Sequence, residues 1–526
     1  MTDPVRSAAS SSDPTGPSDP LTFYNPVLRG FNPDPTICVV PANGDTPTTY
    51  FLSTSTFEYF PGCPIYTSTD LLDWRLIGHA LNRRSQIELR TVEPGAGSWA
   101  STLRYRPGEK RWYLANCLFQ RYRPATDERI FPRGFYVYTD NIWDDNAWSD
   151  SVYFDNPGFD QDLFWDDDGK VYLSTTTRIS DRAPDSKLKD FAIHISAIDL
   201  PTGRTITPPA VIRSSPHGIA EGSHIIKRDG WYYLFTAEGG TEAGHQEWVS
   251  RSREGVLGPW ESQHRPLWYN GPDEEVQRTG HADVFEDGRG RWWAVLLGVR
   301  PKMDERSKKW LEPQLGRETF LVKVDWVDDW PVFNEGRNIA LLTQGRDSQA
   351  ERVRLGDVPM QWQADLKSPN LELGWYQKNT PLKQSYSLTE RPGYLRLWGN
   401  CYDLSSPEAP AMLLRKQTSF SQTFEVTMDF RPQQTTSSVI SASSSNPTEL
   451  VKLGLVCEGS KYTLAFHQGN GGAQAQAPCF AEDLTIMPPV GGAFTGVMFG
   501  VYSFGLGQPV LDPADFTDIR VSSRAS

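Results

Sequence analysis

Asp168-Gly169-Lys170-Val171-Tyr172-Leu173-Ser174 and Asp229-Gly230-Trp231-Tyr232-Tyr233-Leu234-Phe235 carry one pattern, a turn dipeptide followed by a short aromatic strand. It recurs at Pro107-Gly108 before Trp112-Tyr113-Leu114-Ala115 and at Asp287-Gly288 before Trp292-Trp293-Ala294-Val295. The strand alone occurs at Tyr50-Phe51-Leu52-Ser53. Aligned on Phe51, Tyr113, Tyr172, Tyr233 and Trp293, the copies lie 62, 59, 61 and 60 residues apart. Asp-Gly permits the positive φ of hairpin turns, so each copy predicts an antiparallel hairpin. No helix-length amphipathic pattern interrupts them. One small sheet cannot cover both its faces, whereas five arranged radially cover one another. The period predicts a five-bladed β-propeller. An ordinary β-sandwich would require the regular spacing to be accidental.

The remaining composition fits a β-rich, turn-rich chain: 18 Trp, 20 Tyr and 25 Phe beside 43 Gly and 40 Pro in 526 residues. Fifty-two basic against 65 acidic residues leave a net charge of −13, which repels nucleic-acid backbones and anionic membranes. No apolar run reaches the roughly 20 residues that span a bilayer. Six cysteines form no CxxC pair. Residues 1–20, rich in Ser, Pro and Asp, predict a disordered tail. They contain no apolar signal-like core, and the expectation is a cytoplasmic protein. The acidic surface leaves homodimer and tetramer both open.

After Phe333-Asn334-Glu335-Gly336 the period stops. Short strands follow at Tyr394–Trp398, Phe424–Phe430 and Lys452–Val456. Alternation at Glu425, Thr427 and Asp429 predicts one wet and one buried face. Gln433 to Pro447 reads as a mobile Ser/Thr-rich loop. The expected organisation is a tail (1–20), a propeller (21–345) and a β-sandwich (346–526).

Reading backwards from the aromatic strands, Asp160, Glu221 and His281 each stand twelve residues before theirs. Trp99 stands fourteen before and Asp34 seventeen, across a longer loop. Each opens the innermost strand of its blade, so rotation about the axis would gather all five at one mouth of the channel. Two carboxyls across an anomeric centre are the basis of glycoside hydrolysis, one protonated and one ionised. A third carboxylate raises its neighbour's pKa and helps keep the acid protonated. Taken singly these residues carry less. Asp34 between prolines is a turn former, and Asp162, Asp166, Asp167 and Asp168 near Asp160 read mostly as solvated turn residues. His281 is also compatible with a structural histidine, Trp99 and Phe494 with core aromatics, and Arg317 with an ion pair to Glu318.

The ordered motifs Asn32-Pro33-Asp34-Pro35, Ser53 to Gly62, Trp99, Phe159-Asp160, Ala220-Glu221-Gly222, Thr236 to Thr241, Gly280-His281-Ala282-Asp283 and Gly316-Arg317-Glu318-Thr319 resemble glycoside hydrolase family 43, in its two-domain β-xylosidase form. The resemblance runs from about Tyr24 nearly to the end. It implies a five-bladed propeller and a C-terminal concanavalin A-like jelly-roll sandwich that narrows the pocket. It makes Asp34 the general base, Glu221 the general acid and Asp160 the carboxylate that tunes the acid. Phe57, Trp99, Phe159, Thr241, His281, Arg317 and Phe494 then contact the sugar. The implied activity is inverting removal of terminal β-D-xylosyl residues from xylo-oligosaccharides, with α-L-arabinofuranosyl residues as an alternative. No cofactor is required, although some relatives hold calcium in the channel near the equivalent of His281. The chain departs from the family at Ser101, where proline is usual after Trp-Ala, and at Gln161-Asp162, where Pro-Ser is usual. Asp162 adds a negative charge near the acid. A retaining fructan hydrolase would carry Arg-Asp-Pro and Glu-Cys, and neither occurs. A non-catalytic carbohydrate-binding propeller is the remaining alternative.

Overall fold

In the computed structural model, residues 23–120, 132–179, 190–304, 307–343, 360–431, 450–468, 474–475, 478–481 and 494–524 are described. The expected tail (1–20), the loop expected at 433–447 and the boundary expected at 345/346 lie outside the described residues. The fold is all-β, with five antiparallel blades and a C-terminal sandwich.

The first blade is built from Thr36–Val40, Thr49–Ser53, Gly62–Ser68 and Arg75–Leu81. The second runs from Gly97–Ser98 and Thr102–Arg106 through Arg111–Phe119 and Arg133–Thr139 to Val152–Pro157, its inner strand broken in two. Phe159–Trp165, Val171–Arg178 and Phe191–Asp199 form the third, whose outer edge is split between Arg204–Thr205 and Ala210–Ser214. The fourth holds Ala220–Arg228, Trp231–Glu238, Gln246–Ser252 and Glu261–Ser262. The fifth holds Gln277–Glu286, Trp292–Val299, Glu318–Val327 and Trp330–Phe333. The five recurrent aromatic strands are thus the second strand of every blade.

Among the described residues each blade is one contiguous stretch, and no strand is exchanged across the ring. The seam between the first and fifth blades is closed instead by Phe23–Tyr24 pairing with Leu342–Thr343. There the Asn25 side chain donates to Leu321 O and accepts from Leu321 N. Aromatic and aliphatic side chains fill the spaces between blades; Phe23, Tyr50, Phe285 and Trp293, for example, share one cluster at the seam.

In the sandwich, one large sheet centred on Ala514–Ser523, Ser421–Asp429, Val451–Glu458 and Lys461–Gln468 faces the pair Ala411–Lys416 and Met498–Ser503. Phe424, Val426, Met428 and Ile519 pack between them against Leu413, Phe499 and Val501. Of the three residues expected on the wet face, Glu425, Thr427 and Asp429, Glu425 alone is exposed. Thr427 and Asp429 are buried, and Arg391 and Arg431 satisfy the Asp429 carboxylate.

The sandwich is bonded to the propeller. Gln377–Lys378 pairs as a strand with Tyr59–Phe60, which lies between the second and third strands of the first blade. Gly316 has φ +74°, and a Cβ there would meet Gly496 N at 2.7 Å, so only glycine allows the two backbones to approach. Lys416 reaches across to donate to Asn32 Oδ1 at 2.8 Å, over the rings of Phe31 and Tyr376.

Candidate active site

Four of the five innermost strands carry a left-handed residue at the equivalent position. Asp34, Asp160, Gly222 and His281 have φ of 52°, 54°, 59° and 54°. Such a conformation costs about 1–3 kcal/mol for a non-glycine residue and persists only where the surroundings enforce it. Strand register makes these four equivalent, since the residues two further on, Thr36, Asp162, His224 and Asp283, pair with Ser53, Ser174, Phe235 and Val295. Glu221 therefore sits one residue earlier than the spacing predicts, level with Phe159 and Trp99. The Arg228–Trp231 hairpin is one residue tighter than its counterpart in the third blade, which shifted the count. Gly222 occupies the kinked position in its place, and a Cβ there would come within 2.8 Å of the His281 ring.

The three acidic side chains converge with opposite electrostatics. Asp34 Oδ1 accepts from Arg317 Nη1 at 2.9 Å and lies 3.6 Å from His281 Nδ1, while Oδ2 accepts from Ser55 Oγ at 2.7 Å. Burial pushes this carboxyl up, but Arg317, His281 and Ser55 outweigh it and hold Asp34 well below the usual carboxylate range. Glu221 is pushed up to about 7, by burial first and then by the charge of Asp34. Burial also raises Asp160, with Glu221 and Asp34 adding to the rise against the pull of His281. Asp160 Oδ2 accepts from Gly222 N at 3.0 Å, so it anchors the peptide that carries Glu221.

Around the carboxyls stands an aromatic wall. Phe57 lies 6.1 Å from Trp99 and 5.8 Å from Phe494 between ring centroids. Trp99 is stacked on Phe119 and meets Phe159 edge-on at 5.3 Å. Arg317 lies against the rings of Phe57 and Phe494, and its Nη1 also donates to Thr241 Oγ1 at 3.0 Å. Every site residue expected from the sequence belongs to this one connected group. Arg317 does not pair with Glu318, which is bound instead by Arg300 at 2.6 Å.

Several supporting residues were not foreseen. Ser55 fixes Asp34, and buried Glu247 accepts from the Ala282 N–H beside His281. Asn32 accepts from Tyr66 and Lys416, while its own N–H donates to the Arg317 carbonyl. Asp162 corrects an expectation, because it is buried rather than a solvated turn residue. Its two oxygens accept from Arg104 Nε and Nη2, each at 3.1 Å, and Arg104 Nη1 donates to Asp283 Oδ2 at 2.7 Å. The added charge is neutralised where it stands. The signal was present in the sequence as polar residues two positions beyond each kink.

This donor set does not suit calcium, which takes six to eight oxygen ligands. Near His281 the Asp34 oxygens are committed to Arg317 and Ser55, and in the channel Asp162 and Asp283 are committed to a guanidinium. Among the described residues no group of three His, Cys, Asp or Glu side chains is arranged to hold a metal.

Comparison with known proteins gives concordant matches. The description "Glycosyl hydrolases family 43" matches residues 23–331, and "Beta xylosidase C-terminal Concanavalin A-like domain" matches 363–439. The chain is 31% identical to the non-reducing end alpha-L-arabinofuranosidase of Bacteroides ovatus, over 94% of both chains. It is 33% identical to a xylan 1,3-beta-xylosidase of a Vibrio species, over 78% of this chain and 75% of the relative. Among solved structures, the xylan beta-1,4-xylosidase of Bacillus halodurans superposes with a TM-score of 0.79 at 27% identity, covering 95% of this chain and all of the other.

Proposed function

The chain belongs to glycosyl hydrolase family 43, and from that premise we propose that it is an inverting, exo-acting glycosidase removing terminal β-D-xylosyl residues from xylo-oligosaccharides. The opposed titration of buried carboxyls carries the reading. Against the upward push of its own burial, Asp34 is held ionised by Arg317, while Glu221 is raised toward neutrality. Asp34 is the base that takes a proton from the attacking water. Glu221 is the acid that delivers one to the departing oxygen. Asp160 keeps that acid in place through the Gly222 peptide. Arg317 and His281 orient Asp34 and offer donors to sugar hydroxyls. Phe57, Trp99, Phe159 and Phe494 enclose the ring and exclude water, a shape suited to a chain end rather than to the middle of a polymer.

A second reading, α-L-arabinofuranosidase, is favoured by the relative matched over 94% of both chains. The two sugars are pentoses of similar hydroxyl pattern, and an apolar pocket separates near-isosteres weakly. Parallel turnover of nitrophenyl β-xyloside and nitrophenyl α-arabinofuranoside ranks the readings, and inactivity on both defeats them. Proton NMR of the first-formed sugar should show the anomer opposite to the substrate's. Retained configuration would exclude Asp34 as base to water.

The pH profile follows from the same charges. Glu221 must be protonated, so kcat/KM should fall about tenfold per pH unit above about 7. Asp34 stays ionised far into acid, so no acid limb near pH 4 should arise from it. A basic limb displaced to pH 9 or beyond in kcat/KM for xylobiose would remove Glu221 from the acid role.

A further inference from the structure

Two residues beyond the four kinks the inner strands carry Thr36, Asp162, His224 and Asp283 around the channel, with Thr102 at the matching register of the second blade. Arg104 enters this ring from the second blade. Its fork spans Asp162, its Nη1 reaches Asp283, and its Nη2 lies 3.0 Å from His224 Nδ1. The same carboxylates collect the other blades. Asp283 Oδ2 accepts from Thr36 Oγ1 and Ile37 N, and Asp162 Oδ2 accepts from Ile225 N. Leu103 N donates to Thr36 Oγ1, closing the circuit. One guanidinium thus ties all five inner strands through two buried carboxylates that would otherwise repel each other.

We propose that Arg104 is the built-in cation of the propeller axis, a positioning residue that sets the spacing of Asp34, Asp160 and His281 and takes the place a divalent metal would fill. The catalytic part of this rests on the reading of Asp34 and Asp160 given above. The leverage is geometric. Thr36, Asp162 and Asp283 stand only two residues after the left-handed kinks at Asp34, Asp160 and His281, so holding them fixes where each kinked residue leaves its strand. Arginine suits the task because its planar fork binds a carboxylate with two bonds and keeps its charge at any working pH. Removing it takes the guanidinium from two buried carboxylates and leaves Asp162 with the His224 ring at 3.2 Å, a loss of positive charge that draws in a counter-ion.

The test uses the full chain with Arg104→Ala, calcium chloride and EDTA, read by thermal unfolding and by steady-state turnover of nitrophenyl xyloside. In EDTA, kcat should fall about 100-fold, as for an ångström-scale misplacement of reacting groups, with KM nearly unchanged. Calcium at about 10 mM, above the roughly millimolar affinity of weak sites, should raise the unfolding temperature of the variant and restore at least part of kcat. The parent should respond to neither reagent. A variant with parent kcat in EDTA, a variant blind to calcium in both readouts, or a parent stabilised by calcium would each overturn the proposal. If the alanine variant does not fold, Arg104→Lys decides. Its ammonium keeps the charge without the fork, so kcat should drop with KM held and calcium without effect, and parent-like kcat would refute the role. Should the parent hydrolyse no glycoside at all, the functional reading fails, while the calcium-dependent unfolding shift still tests the cation replacement.

Discussion

Replacing Asp34 by Asn should lower kcat on xylobiose about a thousandfold or more while leaving KM within a small factor. The substitution is nearly isosteric, and Asn adopts the left-handed conformation required at φ 52° more readily than any other residue except glycine. Its amide oxygen can still accept from Arg317. What is lost is the negative charge and the lone pair that receives the water's proton. Stability offers a second readout. Because the folded pKa of Asp34 lies below its unfolded value, its ionised form stabilises the fold above about pH 4, and that contribution fades as pH falls through the folded pKa. The variant should therefore unfold at lower temperature than the parent at pH 7, with the gap narrowing in acid. Steady-state kinetics with scanning calorimetry at two pH values checks both. Parent-like turnover by the Asn variant would exclude Asp34 from proton transfer.

Glu221→Gln should show a different signature. Xylobiose releases a poor leaving group that needs a proton in the transition state, so kcat should drop by about 100- to 10,000-fold. Dinitrophenyl xyloside releases a phenolate that departs without help, and its loss should be far smaller. The decline above about pH 7 should vanish with the titrating group. Equal losses on both substrates would indicate that Glu221 binds or holds structure rather than donating a proton.

The architecture was legible because the aromatic second strands repeat with the blades, and Phe51, Tyr113, Tyr172, Tyr233 and Trp293 mark all five. The convergence of Asp34, Asp160 and Glu221 followed from it. Counting along the chain failed by one residue at Glu221, since hairpin length varies where register does not. Arg104 escaped notice for a physical reason. It lies in a strand of ordinary appearance, Thr102–Arg106, and its partners come from blades roughly 60 and 180 residues away. Asp162 was hidden by its neighbours, since Asp167 and Asp168 do lie in a solvated turn and local composition alone cannot separate the two cases. Lys416 on Asn32 was equally invisible, because contacts between domains leave no period in either.

The strand Gln377–Lys378 laid on Tyr59–Phe60, and the backbone contact at Gly316, mean that two distant stretches of gene shape one cavity. A crossover exchanging only the second half between relatives would bring in a lid cut for another rim. Point changes on either side can retune this cavity, but an exchange of one half alone breaks the fit between both.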